Sequence, residues 1–394
     1  MTSTAQRLPA KRKTQTKPQN VSFTIRQLCF FVAFVAPLSK LLETPSLLAE
    51  YALGDLLLPA FLQYLLQSSA LAVFLFVVKK TGKGLFTLVE EKLGKIGAKI
   101  FYGVLGLYFL FSVLSPIIEL EKFTQAVFYD TAPFAFTFTP FFILSGFICV
   151  KGLKSFARLC DLCCPIFLTA FFGLILMSLG ETDFESVLPW FEFPASKIFN
   201  AVKFTTSHFA DAVLFLPLLG DYRYEQGDGK KIYASYWAGA GFVLLFLAVF
   251  YGIYTTIAST QHYAFTKIAQ YFPGLKTVGR IDLIFVYLLS VILFCYSSLP
   301  IRLCALCLEK ATDCKSKLLL SVLLNGLLFL FVLFFNKYQN TVFEIVTRTL
   351  WWIFPVFSLV LPVLCLFFLI GNEKNAKTRE CPPKDGNKEN AYAR

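Results

Sequence analysis

Charge is scarce in this chain. Of its 394 residues 16% are charged and 56% hydrophobic, with only two histidines and two methionines. Three stretches, 56–78, 232–261 and 349–372, hold no charged residue at all. A soluble chain of this size needs a charged, amphipathic surface, so that class is excluded. No glycine-rich phosphate-cradling loop is present, which excludes a nucleotide-driven pump. Two histidines and no paired carboxylates on a rigid soluble scaffold leave hydrolytic catalysis without its groups. The chain reads as a non-enzyme that requires no cofactor. Eleven cysteines are present, but none falls in an expected external loop, so no disulfide framework is implied. Cys160-x-x-Cys163 and Cys304-x-x-Cys307 have metal-like spacing, yet both lie in or beside apolar helices and read as small packing groups.

What is present is long apolar sequence. A helix of about 20 residues crosses the hydrocarbon core of a bilayer. Ten segments qualify, near 24–49, 56–78, 100–118, 132–150, 162–180, 203–220, 232–257, 281–303, 318–336 and 349–371. The expected class is an all-α integral membrane protein: a basic disordered tail at 1–22, a ten-helix domain at 23–371 and a second disordered tail at 372–394. The first apolar run follows a polar tail and lacks a small-residue cleavage site, so it reads as a span and not as a signal peptide. Lysine and arginine set the orientation. With the amino terminus inside, 28 of the 37 basic residues lie in the two tails, at Arg26 where span one begins, or in the loops near 79–99, 151–158, 222–231 and 302–317, as the positive-inside rule requires. That accounts for the net charge of +12 through the bilayer surface, with no nucleic acid.

Two spans are not clean. Span one, TIRQLCFFVAFVAPLSKLLETPSLLA, carries Lys40 and Glu43 between Pro37 and Pro45. Each proline removes a backbone donor, and a charge at membrane depth costs a few kcal/mol at least, so it normally faces a bundle interior or a watery cavity. Span six, KFTTSHFADAVLFLPLLGD, carries His208 and Asp211 on one helical face and ends near Pro217. These two residues either line a cavity or serve as a solvated histidine and a helix cap. Elsewhere, span three carries Tyr108, Ser112 and Ser115 and ends at Glu119 and Glu121; span eight carries Ser290, Tyr296 and Ser297. Leu85, Leu88, Val89, Leu93 and Ile96 recur at helical spacing between charges. They fit an amphipathic surface helix or an extension of span three. The external link 258–280 has similar spacing and suits an interfacial helix.

Interrupted segments at corresponding positions of two halves point to a substrate site near the bilayer midplane. Spans one and six correspond if ten helices form two inverted five-helix repeats, the architecture of the amino acid–polyamine–organocation transporters. The candidate ligand-binding residues are Pro37, Ser39, Lys40, Glu43, Tyr108, Ser112, His208, Asp211 and Ser290. Lys40 pairs with Glu43 or meets a ligand carboxylate.

Within that superfamily the chain resembles the spore germination permeases, the B subunits of nutrient germinant receptors. VSFTIRQLCFF resembles their Ser-x-x-Gln opening in Ser22 and Gln27, and Pro45-Ser-Leu-Leu-Ala49 their close of span one. LGKIGAKIF is similar to their entry to span three, FTFTPFF to the start of span four, and KGLKSFARLC to the turn into span five. GRIDLIF resembles the entry to span eight, with Gly279 where glutamate is usual. The break at Ala36-Pro37-Leu38-Ser39-Lys40 lacks the glycines with which related amino acid transporters expose backbone amides. The resemblance implies a membrane A subunit and an external lipoprotein C subunit as partners. It also implies a small nutrient ligand, residence in the cell membrane or spore inner membrane, and sensing as the output. The alternative is a cation-coupled amino acid permease. Topology is testable first. A thiol introduced at Asp183 or Lys276 should react with an impermeant reagent from outside, and one at Lys83 or Lys230 should not; the reverse pattern would refute the orientation.

Overall fold

A computed structural model describes residues 24–128, 134–187, 191–271, 282–314 and 316–380. The basic tail at 1–22, Gly279, Arg280 and the end of the carboxy-terminal tail lie outside these residues. The described residues form helices joined by short turns and loops, with no strand among them. Seven helices are long and apolar enough to cross a membrane: Thr44–Thr81, Leu85–Val127, Leu153–Glu181, Asp228–Thr260, Leu283–Thr312, Lys317–Thr349 and Ile353–Ile370. A shorter apolar helix covers Phe138–Lys151. The chain is an integral membrane protein. Its last helix runs on to Glu380, past the point where composition turns polar.

The first segment shows why it cannot be one plain span. Helix α1 (Ile25–Phe30) is opened by a capping box, in which Thr24 Oγ1 accepts from the Gln27 amide and Gln27 Oε1 accepts from the Thr24 amide. A π-helical turn follows over Phe31–Val35, then one α-turn at Ala36–Leu38, then a 3₁₀ turn at Ser39–Leu41. Helix α2 (Thr44–Ala52) restarts the chain with Pro45 in its first turn, where a missing donor costs nothing. A 3₁₀ turn leads into α3 (Leu57–Thr81).

Helix α4 (Leu85–Ser112) settles the amphipathic stretch. It is bent at Gly94, whose φ of 67° only glycine adopts without strain. The piece before the bend buries Leu85, Leu88 and Val89, while Leu93 and Ile96 are exposed. This piece is docked by backbone: the Leu85 and Phe86 amides donate to the Leu219 and Gly220 carbonyls at 3.2 and 2.9 Å. A Cβ on Gly84 would collide with the Gly220 carbonyl, so the close approach needs glycine there. Helix α5 (Leu114–Phe128) continues the line of α4 and carries Glu119 and Glu121 into the bundle. The sequence placed the end of span three at 118. The helix continues because Glu119 has a buried partner and need not reach water.

Helices α6 (Phe134–Lys151) and α7 (Leu153–Ser178) meet at Gly152, φ 84°. The second interrupted segment is α8 (Ala195–Phe209) followed by α9 (Asp211–Leu218). The interruption is a single residue, Ala210, with φ −74° and ψ 40°. It falls seven residues before Pro217, the residue the sequence suggested as the stop; Pro217 sits in the last turn of α9, where few bonds remain for it to break. Helix α10 (Asp228–Tyr254) packs across the π-helical turn of the first segment. The outer link contains α11 (Ala264–Tyr271), which buries Phe265 and Ile268 and whose first amide donates to the Leu42 carbonyl at 2.9 Å. Helix α12 (Asp282–Thr312) packs along α4, with Cys307 against Gly106. Helices α13 (Lys317–Phe335), α14 (Gln339–Glu344) and α15 (Ile353–Glu380) complete the bundle.

One contact sets where the first interruption sits. A Cβ on Gly239 of α10 would collide with the Ala33 carbonyl and the Pro37 ring, whereas one on Gly241 would meet nothing within 4 Å. Gly239→Ala should therefore cost about 1–3 kcal/mol and lower the thermal unfolding midpoint of the detergent-solubilised protein. Gly241→Ala, on the same helix, should leave the midpoint unchanged or slightly higher. Equal effects at the two positions would refute this packing.

Candidate functional site

Both interruptions present their charges to each other. The 3₁₀ turn at Ser39–Leu41 frees the Ala36 carbonyl, which accepts from Ser39 Oγ at 2.7 Å and from Lys40 Nζ at 2.9 Å. Lys40 Nζ also donates to Asp211 Oδ2 at 2.7 Å and lies 5.5 Å from the centre of the Phe209 ring. Both side chains are 1% exposed. Asp211 opens α9 directly after the Ala210 break, where the exposed amides of a helix start favour a carboxylate. The next amide, Ala212, donates to Gln67 Oε1 at 3.0 Å, which fixes that helix start against α3. Asp211 Oδ1 is buried and makes no hydrogen bond.

A second pair lies one turn away. His208 Nε2 is 2.6 Å from Glu119 Oε1, and the two side chains are 7% and 9% exposed. Ser115 Oγ donates to the same carboxylate oxygen at 3.2 Å, and Ser207 Oγ lies 3.2 Å from His208 Nδ1. The interruption at Ala210 thus divides two charged residues between two helices, one paired to the first broken segment and one to α5.

The two pairs border one cavity of about 50 Å³. That is room for only a few waters, since each needs about 10–15 Å³ by this measure. Hydroxyls of Ser39, Tyr108, Ser112, Ser115, Tyr296 and Ser297 line it together with Lys40, Glu119 and His208. Leu42, Leu120, Leu214, Leu293 and Phe354 supply the apolar wall. Tyr108 is held by stacking on Phe357, with ring centres 4.4 Å apart. Such a wall suits a small polar molecule: hydroxyls offer both donors and acceptors, and each charge is already balanced by its neighbour.

Of the nine residues marked in the sequence, Ser39, Lys40, Tyr108, Ser112 and His208 line this cavity. Asp211 stands behind Lys40. Pro37 packs on Gly239 and is not on the wall. Glu43 lies beside the second pair, within electrostatic reach of Glu119, Lys122 and His208, also off the wall. It does not take Lys40, which goes to Asp211. Ser290 is turned onto its own helix, donating to the Val286 carbonyl at 2.8 Å. Glu119, Ser115, Ser207, Tyr296 and Ser297 complete the wall without having been marked. A signal for Glu119 was present: Tyr108, Ser112, Ser115 and Glu119 recur at steps of three and four, one helical face.

Among the described residues no group of three or more histidine, cysteine or acidic side chains is placed to hold a metal ion. No curated protein matches the chain in sequence comparison. Residues 41–342 match the family described as spore germination protein. The match begins at Leu41, one residue after Lys40 in the first broken segment, includes the whole of the second, and ends at Val342, before α15. On that match, over more than half its length, the chain belongs to the spore germination permease family.

Proposed function

We propose that the chain is the membrane subunit of a nutrient germinant receptor, binding a small nutrient, an amino acid by class, between its two broken helices. The observation that carries this reading is the buried Lys40–Asp211 pair, which joins the two interruptions at 2.7 Å. A zwitterion is the one small polar class whose charges match both members: its carboxylate replaces Asp211 at Lys40, and its ammonium replaces Lys40 at Asp211. The vacant lone pairs of Asp211 Oδ1 favour the second exchange. Ser39, Tyr108, Ser112 and His208 line the space that the ligand would share. Because the cavity holds only a few waters, binding requires the broken helices to part and close again. A ligand shifts such an equilibrium only by its different affinity for the two states.

The proposed frame is ten helices in two inverted five-helix repeats, with the broken ones first and sixth. Two reciprocal contacts support it. The surface helix before span three docks by its first amides on the carbonyls after broken span six. The surface helix before span eight docks by its first amide on the Leu42 carbonyl of broken span one. In this reading the A subunit in the membrane and the external lipoprotein C subunit relay the closure, in the cell membrane or spore inner membrane. A cation-coupled amino acid permease is the competing reading. It needs oxygen ligands for the ion; of the two α12 hydroxyls that could serve, Ser290 is turned onto the Val286 carbonyl of its own helix and Ser297 lines the cavity.

Deleting the chain should abolish germination toward one nutrient class while uptake of that nutrient by growing cells is unchanged. Lys40→Met or Asp211→Leu alone strands a buried charge, costing about 3–5 kcal/mol, and should reduce the protein found in the membrane. The double variant, an apolar pair of similar volume, should accumulate. It should need about ten- to hundred-fold more nutrient for half-maximal germination, since a hydrogen bond to a charged group contributes about 1.5–3 kcal/mol. Normal sensitivity in the double variant would overturn the site. Concentrative amino acid uptake into liposomes under a cation gradient, with no partner subunit, would decide for the permease.

A further inference from the structure

A second cavity lies at the other end of α5 from the α4 bend, between the last turn of α5 and the link that carries α11. Its volume is about 360 Å³, far larger than that of the inner cavity. Thr260, His262, Tyr263, Thr266, Lys267 and Gln270 supply its polar lining, with no carboxylate among the described residues. Thr266 is 3% exposed, and its Oγ1 makes no hydrogen bond. Lys267 forms no ion pair among the described residues. A buried hydroxyl without a partner is costly, and Thr266 belongs to the same lining as the Lys267 amine and the Gln270 amide.

Tyr263 belongs to this lining. Its φ of 58° is the left-handed region, an outlier for a bulky residue and a conformation that persists only when its surroundings enforce it. The enforcing contact is on the next residue: the Ala264 amide is bonded to the Leu42 carbonyl, inside the first interruption. The ring packs on Phe123 at 5.5 Å. Burial, followed by the carboxylates of Glu43, Glu119 and Glu121, raises the tyrosine's pKa, so those charges lie within electrostatic reach of the ring. Glu119 lines the inner cavity. Tyr263 therefore lines the donor-rich vestibule within electrostatic reach of a carboxylate that lines the inner site, and the next residue's amide is tied to the segment that must move when that site opens.

We propose that this vestibule is an outer binding site for the carboxylate of a small molecule, with Thr266, Lys267 and Gln270 as donors and Tyr263 as a movable floor. The proposal rests on the reading that ligand reaches the inner cavity from this side. Its ammonium would lead, drawn toward the carboxylates beyond the floor, while the carboxylate is held behind.

The test uses the full chain in liposomes, labelled from outside with two methanethiosulfonates, one carrying a sulfonate and one a trimethylammonium group. The unmodified chain serves as background for its native cysteines. With Thr266→Cys, the anionic reagent should react about ten-fold faster than the cationic one after correction for their rates with a free thiol. Adding Lys267→Gln should abolish that preference, and sodium acetate, against sodium chloride at equal ionic strength, should slow the anionic reaction. Equal rates, or a cationic preference, would overturn the site. For the floor, Ser112→Cys in the inner cavity should label slowly, faster with Tyr263→Ala, and slowly again with Tyr263→Phe. If Tyr263→Ala leaves the rate at Ser112→Cys unchanged, Tyr263 is not the floor. No nutrient or germination enters these readouts, so they can fail while the inner site stands, and succeed while it falls.

Discussion

The bundle depends on one buried ion pair. Lys40 and Asp211 are each too costly to leave alone at membrane depth, and each stands where its helix has lost the hydrogen bonding that would continue it. The pair offsets the desolvation of both charges, and the freed Ala36 carbonyl and the start of α9 supply the remaining polar partners. Replacing both members by apolar groups need not destabilise such a site, whereas removing one does. On the proposed reading, the pair joins the two interrupted helices until a ligand exchanges with it.

The same economy appears at the second pair. His208 Nε2 and Glu119 Oε1 face each other at 2.6 Å on the wall of the same cavity, so each has its partner within the protein. A molecule with one net charge would leave some partner uncompensated in a low-dielectric space, at a cost of several kcal/mol. On the proposed reading, this arrangement would favour a ligand that is neutral overall with its charges separated.

Much of this was legible in the sequence, and unevenly. The two segments with charge at depth stood out because uncharged runs surround them, and Lys40 and Asp211 prove to touch. Their pairing was not legible: Glu43, three residues from Lys40, was as good a partner on spacing alone. The 3₁₀ turn turns Lys40 away from it, and a change of helix type leaves no residue signature. Ala210 was invisible for a similar reason, since alanine is the best helix former and the break there is imposed by what Asp211 and Ala212 bind. Glu119 was read as the end of a span because a carboxylate normally marks the interface. Its partner is 89 positions away, beyond any local pattern. The Gly94 bend, by contrast, lies at a glycine between two amphipathic pieces, and there the sequence allowed both an independent surface helix and an extension of span three.

The two backbone dockings have a consequence for genetics. Leu85 and Phe86 donate to the carbonyls of Leu219 and Gly220, and Ala264 to that of Leu42, through peptide groups that every residue but proline carries. Alanine scanning would pass over these positions, scoring only the loss of side-chain packing. Sequence drift among relatives would pass over them as well. The joints between the surface helices and the broken helices are thus made by peptide groups, and apart from a side chain added at Gly84, a proline scan is the form of mutagenesis able to see them.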